Sequence, residues 1–264
     1  MKTKVGEVID FLEGIAPLHL QESYDNSGLL IGSGDTVVTG VLVSLDCTEE
    51  VLDDAMAKNC NLVISHHPAI FYGVKSLTDS NPTERIIRKA IREDLVIYAI
   101  HTNLDNILIQ GVNERIAQKL GLKVEGILRP LAGDSSTGAG VVGHFATPMP
   151  ENEFLTHVKK NMEASVIRHT GLINRKIAKV AICGGSGAFL LKDAKKAGAD
   201  ALVTADFKYH DFFEADGDIL VCDIGHYESE HYTIGLIQEL ISGKFATFAA
   251  HCTEMNTNPV HYFT

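Results

Sequence analysis

Along the first half of the chain, short apolar runs alternate with segments whose apolar positions recur every three or four residues. Val5, Val8, Ile9, Leu12 and Ile15 fall at helical spacing, so an amphipathic helix opens the chain and ends near Gly14 and Pro17. The continuous run from Gly40 to Asp46 reads as a buried strand. Thr48, Glu49 and Glu50 then supply a capping hydroxyl and first-turn acids for a helix through Val51, Leu52, Ala55 and Met56. Leu62–Ser65 is the next strand, and Pro82–Arg92 is a helix with proline in its first turn. A strand over Leu95–Ile100 and a helix over Gly111–Leu120 follow. Strand–helix alternation of this kind predicts a parallel or mixed sheet covered by helices.

The second half repeats the theme. Lys179–Cys183 reads as a strand, Phe189–Lys196 as a helix, Ala201–Thr204 as a strand and Ile219–Ile224 as another. Setting Asn61 against Asp200 also places Ala55 on Ala194, Ile64 on Val203, Ser65 on Thr204 and His67 on Asp206. A chance likeness of two strand–helix–strand units is the alternative to a true repeat. The expected fold class is α/β: two related α/β lobes with mixed sheets flanked by helices, and a metal site in the cleft between them. Gly126–Gly143, rich in Gly, Ser and small residues, has the composition of a loop or boundary. The lobes are therefore placed at 1–126 and 127–264, with a C-terminal segment able to pack back on the first and no inserted third domain.

Composition narrows the function. The 264 residues are 45% hydrophobic and 22% charged, the profile of a globular protein with an ample core. A net charge of −11 disfavours nucleic acid as a partner, because phosphate contacts need a basic stripe, but it attracts divalent cations. Five dispersed cysteines without a CxxC pair read as reduced, buried thiols, and no apolar window suits a signal peptide or a membrane span. The expected location is the cytoplasm, with no membrane partner.

Candidate chemistry gathers where strands end. His66-His67-Pro68 follows the strand Leu62–Ser65, and past a strand end two adjacent rings are freed from pointing to opposite faces. His226 and Glu230 are four apart, so a helix opening after Gly225 puts both on one face; a surface ion pair is the plain alternative. Asp105 closes the segment His101-Thr102-Asn103-Leu104-Asp105, as a hard oxygen ligand or as a cap. Imidazoles and carboxylates together suit divalent zinc, iron, manganese or nickel without distinguishing them, and five ligands exceed what one closed tetrahedral ion needs. Two divalent ions per chain are expected. His101 and His210 are the candidates for catalytic proton transfer, with Asp206 and His210 also sharing helical spacing. Gly184-Gly185-Ser186-Gly187 offers an anion-binding turn or merely a tight connection.

Taken together, Tyr24-Asp25-Asn26-Ser27-Gly28-Leu29, His66-His67-Pro68, His101-Thr102-Asn103-Leu104-Asp105, Cys183-Gly184-Gly185-Ser186-Gly187, Thr204-Ala205-Asp206, Gly225-His226-Tyr227 with Glu230, and Asn256-Thr257-Asn258-Pro259 carry a resemblance. Over essentially its whole length the chain resembles the NIF-three-like family of dinuclear-metal, hexameric proteins, also catalogued as type 2 GTP cyclohydrolase I homologues. The resemblance implies metal ligands at His66, His67, Asp105, His226 and Glu230, with Glu230 bridging, in a homo-hexamer. Two departures from the family pattern are Tyr24, where Trp is usual, and Ala205, where Gly is usual. The implied activity is that of a metal-dependent hydrolase opening the imidazole ring of a nucleotide substrate. The alternative is a non-enzymatic, metal-stabilised ring that binds proteins or a ligand.

Overall fold

The opening amphipathic pattern folds as α1 (Val5–Ile15), which buries Val5, Val8 and Leu12. The computed structural model of the chain describes residues 2–263. After α1 come β1 (Gly28–Ile31) and β2 (Gly40–Ser44), the latter buried at every position. Thr48 caps α2 (Glu49–Ala57), its side-chain oxygen accepting the Val51 N–H at 3.3 Å. Then β3 (Leu62–Ser65) leads to α3 (Pro82–Arg92), where Asn81 Oδ1 accepts the Glu84 N–H at 3.0 Å ahead of Pro82. Next are β4 (Val96–Ala99) and the short α4 (Thr102–Asp105).

Residues past Asp105 build a second sheet. Helix α5 (Val112–Leu120) ends at Gly121 in the left-handed conformation, the usual glycine C-cap. The stretch expected to be a loop is instead a long antiparallel hairpin, β5 (Lys123–Leu131) and β6 (Asp134–Met149). Its glycines serve close backbone approach: a β-carbon on Gly143 would press on Lys123 O at 2.7 Å. Helix α6 (Glu151–Asn161) and β7 (Arg168–His169) lead to β8 (Ile177–Ser186), α7 (Leu191–Lys196), β9 (Ala201–Ala205), β10 (Leu220–Asp223) and α8 (His226–Glu230). Finally, α9 (Tyr232–Lys244) and β11 (Ala249–Cys252) follow.

The first sheet has the order β1-β4-β3-β2-β11, with β4, β3, β2 and β11 mutually parallel and β1 antiparallel at the edge. The second has the order β5-β6-β8-β9-β10-β7, with β8, β9 and β10 parallel. The fold is thus mixed α/β, two mixed sheets flanked by helices. Its repeat is visible in each sheet. With residue 61 set on 200, β3 covers Ala201–Thr204 of β9, and the parallel strands β2-β3-β4 and β8-β9-β10 each lead into a short helix, α4 or α8. Two compact units result: residues through Leu104 with Thr233–His261, and Asp105–Tyr232 with the chain end from Tyr262. The division expected after residue 126 falls within β5.

Of the cysteines, Cys47, Cys60, Cys183 and Cys222 are buried, Cys252 is exposed, and all are free thiols. No helix among the described residues is long and apolar enough to cross a membrane.

Candidate metal centre

In the first unit, strand ends set three imidazoles together. His66 and His67 come directly after β3, their N–H groups donating to Ser44 O (3.1 Å) at the end of β2 and to Leu45 O (2.9 Å) just beyond it. Their rings lie 5.1 Å apart with planes inclined at 42°. His101, just past β4, places its ring 5.3 Å from His66 and 5.2 Å from His67. One ring nitrogen from each falls within 4.8 Å of the other two.

Each of these rings is oriented through Nδ1. His66 Nδ1 is 2.8 Å from Ile100 O, and because a carbonyl only accepts, Nδ1 carries the proton and Nε2 is a lone-pair donor to a cation. His67 Nδ1 lies 2.7 Å from Asp46 Oδ1, and His101 Nδ1 lies 2.7 Å from Asp25 Oδ1. These carboxylates are fixed in turn. Thr257 Oγ1 donates to Asp46 at 2.7 Å, while Thr102 donates to Asp25 through its N–H (3.0 Å) and hydroxyl (2.5 Å). Burial would raise the Asp25 pKa, but the bonds from His101 and Thr102 outweigh it and hold the carboxyl well below the usual range.

In the second unit, His226 and Glu230 share one face of α8, as their spacing requires, with His226 Nε2 2.9 Å from Glu230 Oε2. Asp206, one residue past β9, takes the other ring nitrogen: His226 Nδ1 to Asp206 Oδ2 is 2.7 Å. Burial works against a charged His226, yet the hydrogen bonds and charges of Asp206 and Glu230 prevail and push its pKa up to about 11. The ring thus lies between two carboxylates that favour its protonated form. A divalent cation at Nε2 would replace its proton.

Asp105 and Glu230 both act on Cys183 near the end of β8. That buried thiol is raised first by desolvation and then by the negative charge of the two carboxylates. Two amides of the glycine-rich turn considered above are already engaged within the protein. Gly184 N–H donates to Asn113 Oδ1 and Gly185 N–H to Ser229 Oγ, each at 2.9 Å, so neither amide is open to a ligand. Their role is spatial. A β-carbon on Gly185 would collide with Glu230 Oε1 and lie 3.3 Å from His226 Cε1. The missing side chain is the cradle in which the Glu230 carboxylate rests.

The residue types fit a divalent cation: imidazole nitrogens and carboxylate oxygens, with His66, His67, His101 and His226 each held through Nδ1 by a carbonyl or carboxylate. His210 stands differently. It is exposed, and its ring contacts are with Tyr209 at 5.2 Å and Phe213 at 6.3 Å. Asp25 and Asp46 were given no role from sequence, although Asp46 closes a buried strand as His66 does. An acid at a strand end was the available signal.

Comparison with known proteins shows the family to which this fold belongs. The chain is 36% identical over 230 residues to a GTP cyclohydrolase 1 type 2 homolog of Clostridium perfringens, covering 86% of this chain and 87% of that one. A second protein of that name, from Clostridium acetobutylicum, is 31% identical over 261 residues, covering 97% and 94%. Among solved structures, a Bacillus cereus protein related to NIF3 superposes with a TM-score of 0.91 at 25% identity, over 100% of both chains. A Staphylococcus aureus hypothetical protein gives a TM-score of 0.90 at 32% identity, again over 100% of both. The model of one family, Duf34/NIF3 (NGG1p interacting factor 3), matches residues 3–259, and the chain belongs to that family.

Proposed function

We propose that this chain is a dinuclear metal-dependent hydrolase acting on a nucleotide-like substrate, of the GTP cyclohydrolase 1 type 2 kind, with His66, His67, Asp105, His226 and Glu230 as the metal ligands. One observation carries the reading: His66, His67 and His226 all have Nδ1 engaged by a carbonyl or carboxylate, which reserves Nε2 as the nitrogen to bind a cation, in His226 in place of the proton it shares with Glu230. A merely structural zinc site would be closed and sulfur-rich, whereas these donors are imidazoles and carboxylates. The names of the relatives favour the cyclohydrolase-like chemistry.

When bound, two divalent cations supply hydroxide at neutral pH and a clamp for a developing oxyanion. The chain's own groups do the rest. Asp46, the Ile100 carbonyl and Asp206 fix ring orientation, so the ligands lose little freedom on binding. His101, its Nδ1 held by Asp25, offers Nε2 beside His66 and His67 and is the group we assign to proton transfer. His210, exposed among Tyr209 and Phe213, is the less suited of the two candidates. The assembly we propose is a homo-hexamer, to be checked by light scattering.

Metal analysis of purified protein, followed by assay on GTP and simple phosphoesters before and after chelation, tests the reading. The expected result is two ions per chain and turnover that is lost on chelation and in Asp105→Ala and Glu230→Ala. Two tightly held ions with no turnover on any of these substrates would favour the metal-stabilised ring instead. Anomalous scattering from crystals would fix ion number and identity.

A further inference from the structure

Beside His101 in the first unit lies a group of aromatic rings that metal binding does not use. Tyr24 is 62% exposed and Tyr72 80% exposed, on two loops distant in sequence. Phe71 joins them: its ring centroid is 6.3 Å from Tyr24, 5.0 Å from Tyr72 and 6.3 Å from His101. The two loops are tied by Asn26 Nδ2 donating to Ile70 O at 2.5 Å, so the grouping is built rather than incidental. Tyr24 and Phe71 are inclined by only 34°, and Tyr72 stands at 76° to Phe71. The half-buried Phe71 is therefore a base on which two exposed phenols are mounted, one near-parallel and one edge-on, with an imidazole at its margin.

We propose that Tyr24, Phe71 and Tyr72 form a stacking platform for the planar heteroaromatic ring of the substrate, holding a purine-like base against the His66–His67–His101 cluster. This deepens the nucleotide-hydrolase reading and rests on it for the identity of the ligand. The physical warrant is separate. Exposed aromatic faces bind planar bases by dispersion and quadrupole contact, and each base–aromatic stack is strong enough to be felt in affinity. Contact between Phe71 and the His101 ring makes the platform continuous with the cluster, so a ring lying on it reaches the reacting end without spanning solvent. Where the family pattern has Trp, this chain has Tyr24, which keeps a stacking face of smaller area.

The absence of tryptophan from the chain provides a direct readout. In Tyr24→Trp the introduced indole is the sole tryptophan, and its emission is titrated with GTP and with tripolyphosphate, in metal-loaded and chelator-treated protein. GTP should quench the indole and bind at least as tightly as to wild type, whereas tripolyphosphate should not quench. Tyr24→Ala and Tyr72→Ala should each weaken GTP binding by about 5- to 100-fold, with metal content unchanged. GTP binding at wild-type strength in both alanine variants, or equal quenching by tripolyphosphate, would overturn the platform. So would a change of oligomeric state in both alanine variants on size exclusion, which would make the patch a contact between copies. Quenching by GTP in protein that takes up no metal even when zinc or manganese is supplied would keep the platform while sinking the metal reading. Two ions bound without quenching would do the reverse.

Discussion

A single β-carbon at position 185 probes the candidate ligands of the second unit. Gly185 has φ +60°, and a side chain there meets the Glu230 carboxylate and the His226 ring. Gly133, with φ +87° and nothing within 4 Å of a built β-carbon, separates strain from collision. Gly133→Ala should cost only backbone strain, about 1 kcal/mol. Gly185→Ala should cost more and also lower metal affinity by about 10- to 100-fold, the range seen when groups around a metal ligand are disturbed. Isothermal titration with zinc on both variants checks this; equal affinities would remove Gly185 from the site. The acids at the other ring nitrogens should act through protonation. His226 is raised to about 11 by Asp206 and Glu230, against burial, and so stays charged in the metal-free protein across the neutral range. Its contribution to stability is fully present below the unfolded value near 6.5 and is lost as pH rises through 11. Metal binding must expel that proton, so affinity should climb with pH, and Asp206→Asn should flatten the climb by bringing the His226 pKa down. An NMR titration of the His226 ring in metal-free protein, wild type against Asp206→Asn, reads the shift directly.

At the scale of elements, caps and apolar runs decide where each segment starts. Asn81 and Pro82 define the start of α3 in the sequence as in the structure, and Thr48 does the same for α2. Asn81→Ala removes the acceptor for the Glu84 N–H and should cost about 1 kcal/mol. A fall in melting temperature with unchanged metal content is the expected outcome, because α3 carries none of the proposed ligands. The buried strands β2, β3, β4, β9 and β10 were legible because parallel strands covered on both faces read as unbroken apolar runs. The β5–β6 hairpin was not legible. Its strands carry Gly126, Gly138, Gly140 and Gly143, whose composition signals a loop, whereas at Gly138, Gly140 and Gly143 the physical requirement is room for a neighbouring backbone. The proposed ligands were singled out on a different kind of signal. Two histidines in tandem after a buried apolar run stand out by themselves, whereas His226 and Glu230, four apart, draw their force only from following the strand-like run Ile219–Ile224. Asp25 and Asp46 were hidden because their meaning lies in partners 76 and 21 residues away.

For the molecule as a whole, 34 acidic against 23 basic side chains leave a net charge of −11, and self-repulsion on that scale weakens the folded state. Cations relieve it in two physically different ways. Screening by monovalent salt acts on every exposed charge and fades over about 10 Å at 0.1 M. Binding at the proposed ligands acts by mass action, adding about 2.7 kcal/mol when free metal is a hundredfold above its dissociation constant. The two are separable by melting wild type and the Asp105→Ala/Glu230→Ala double variant in chelator, in added zinc or manganese, and in added sodium chloride. Sodium chloride should shift both proteins alike, since the variant removes only two of the 34 acids. The divalent ion should raise the wild-type melting temperature well beyond the salt effect and should leave the variant where salt alone puts it. If the divalent ion shifted wild type and variant equally, cation binding would be diffuse over the acidic surface, and the five ligands would lose their claim to hold it.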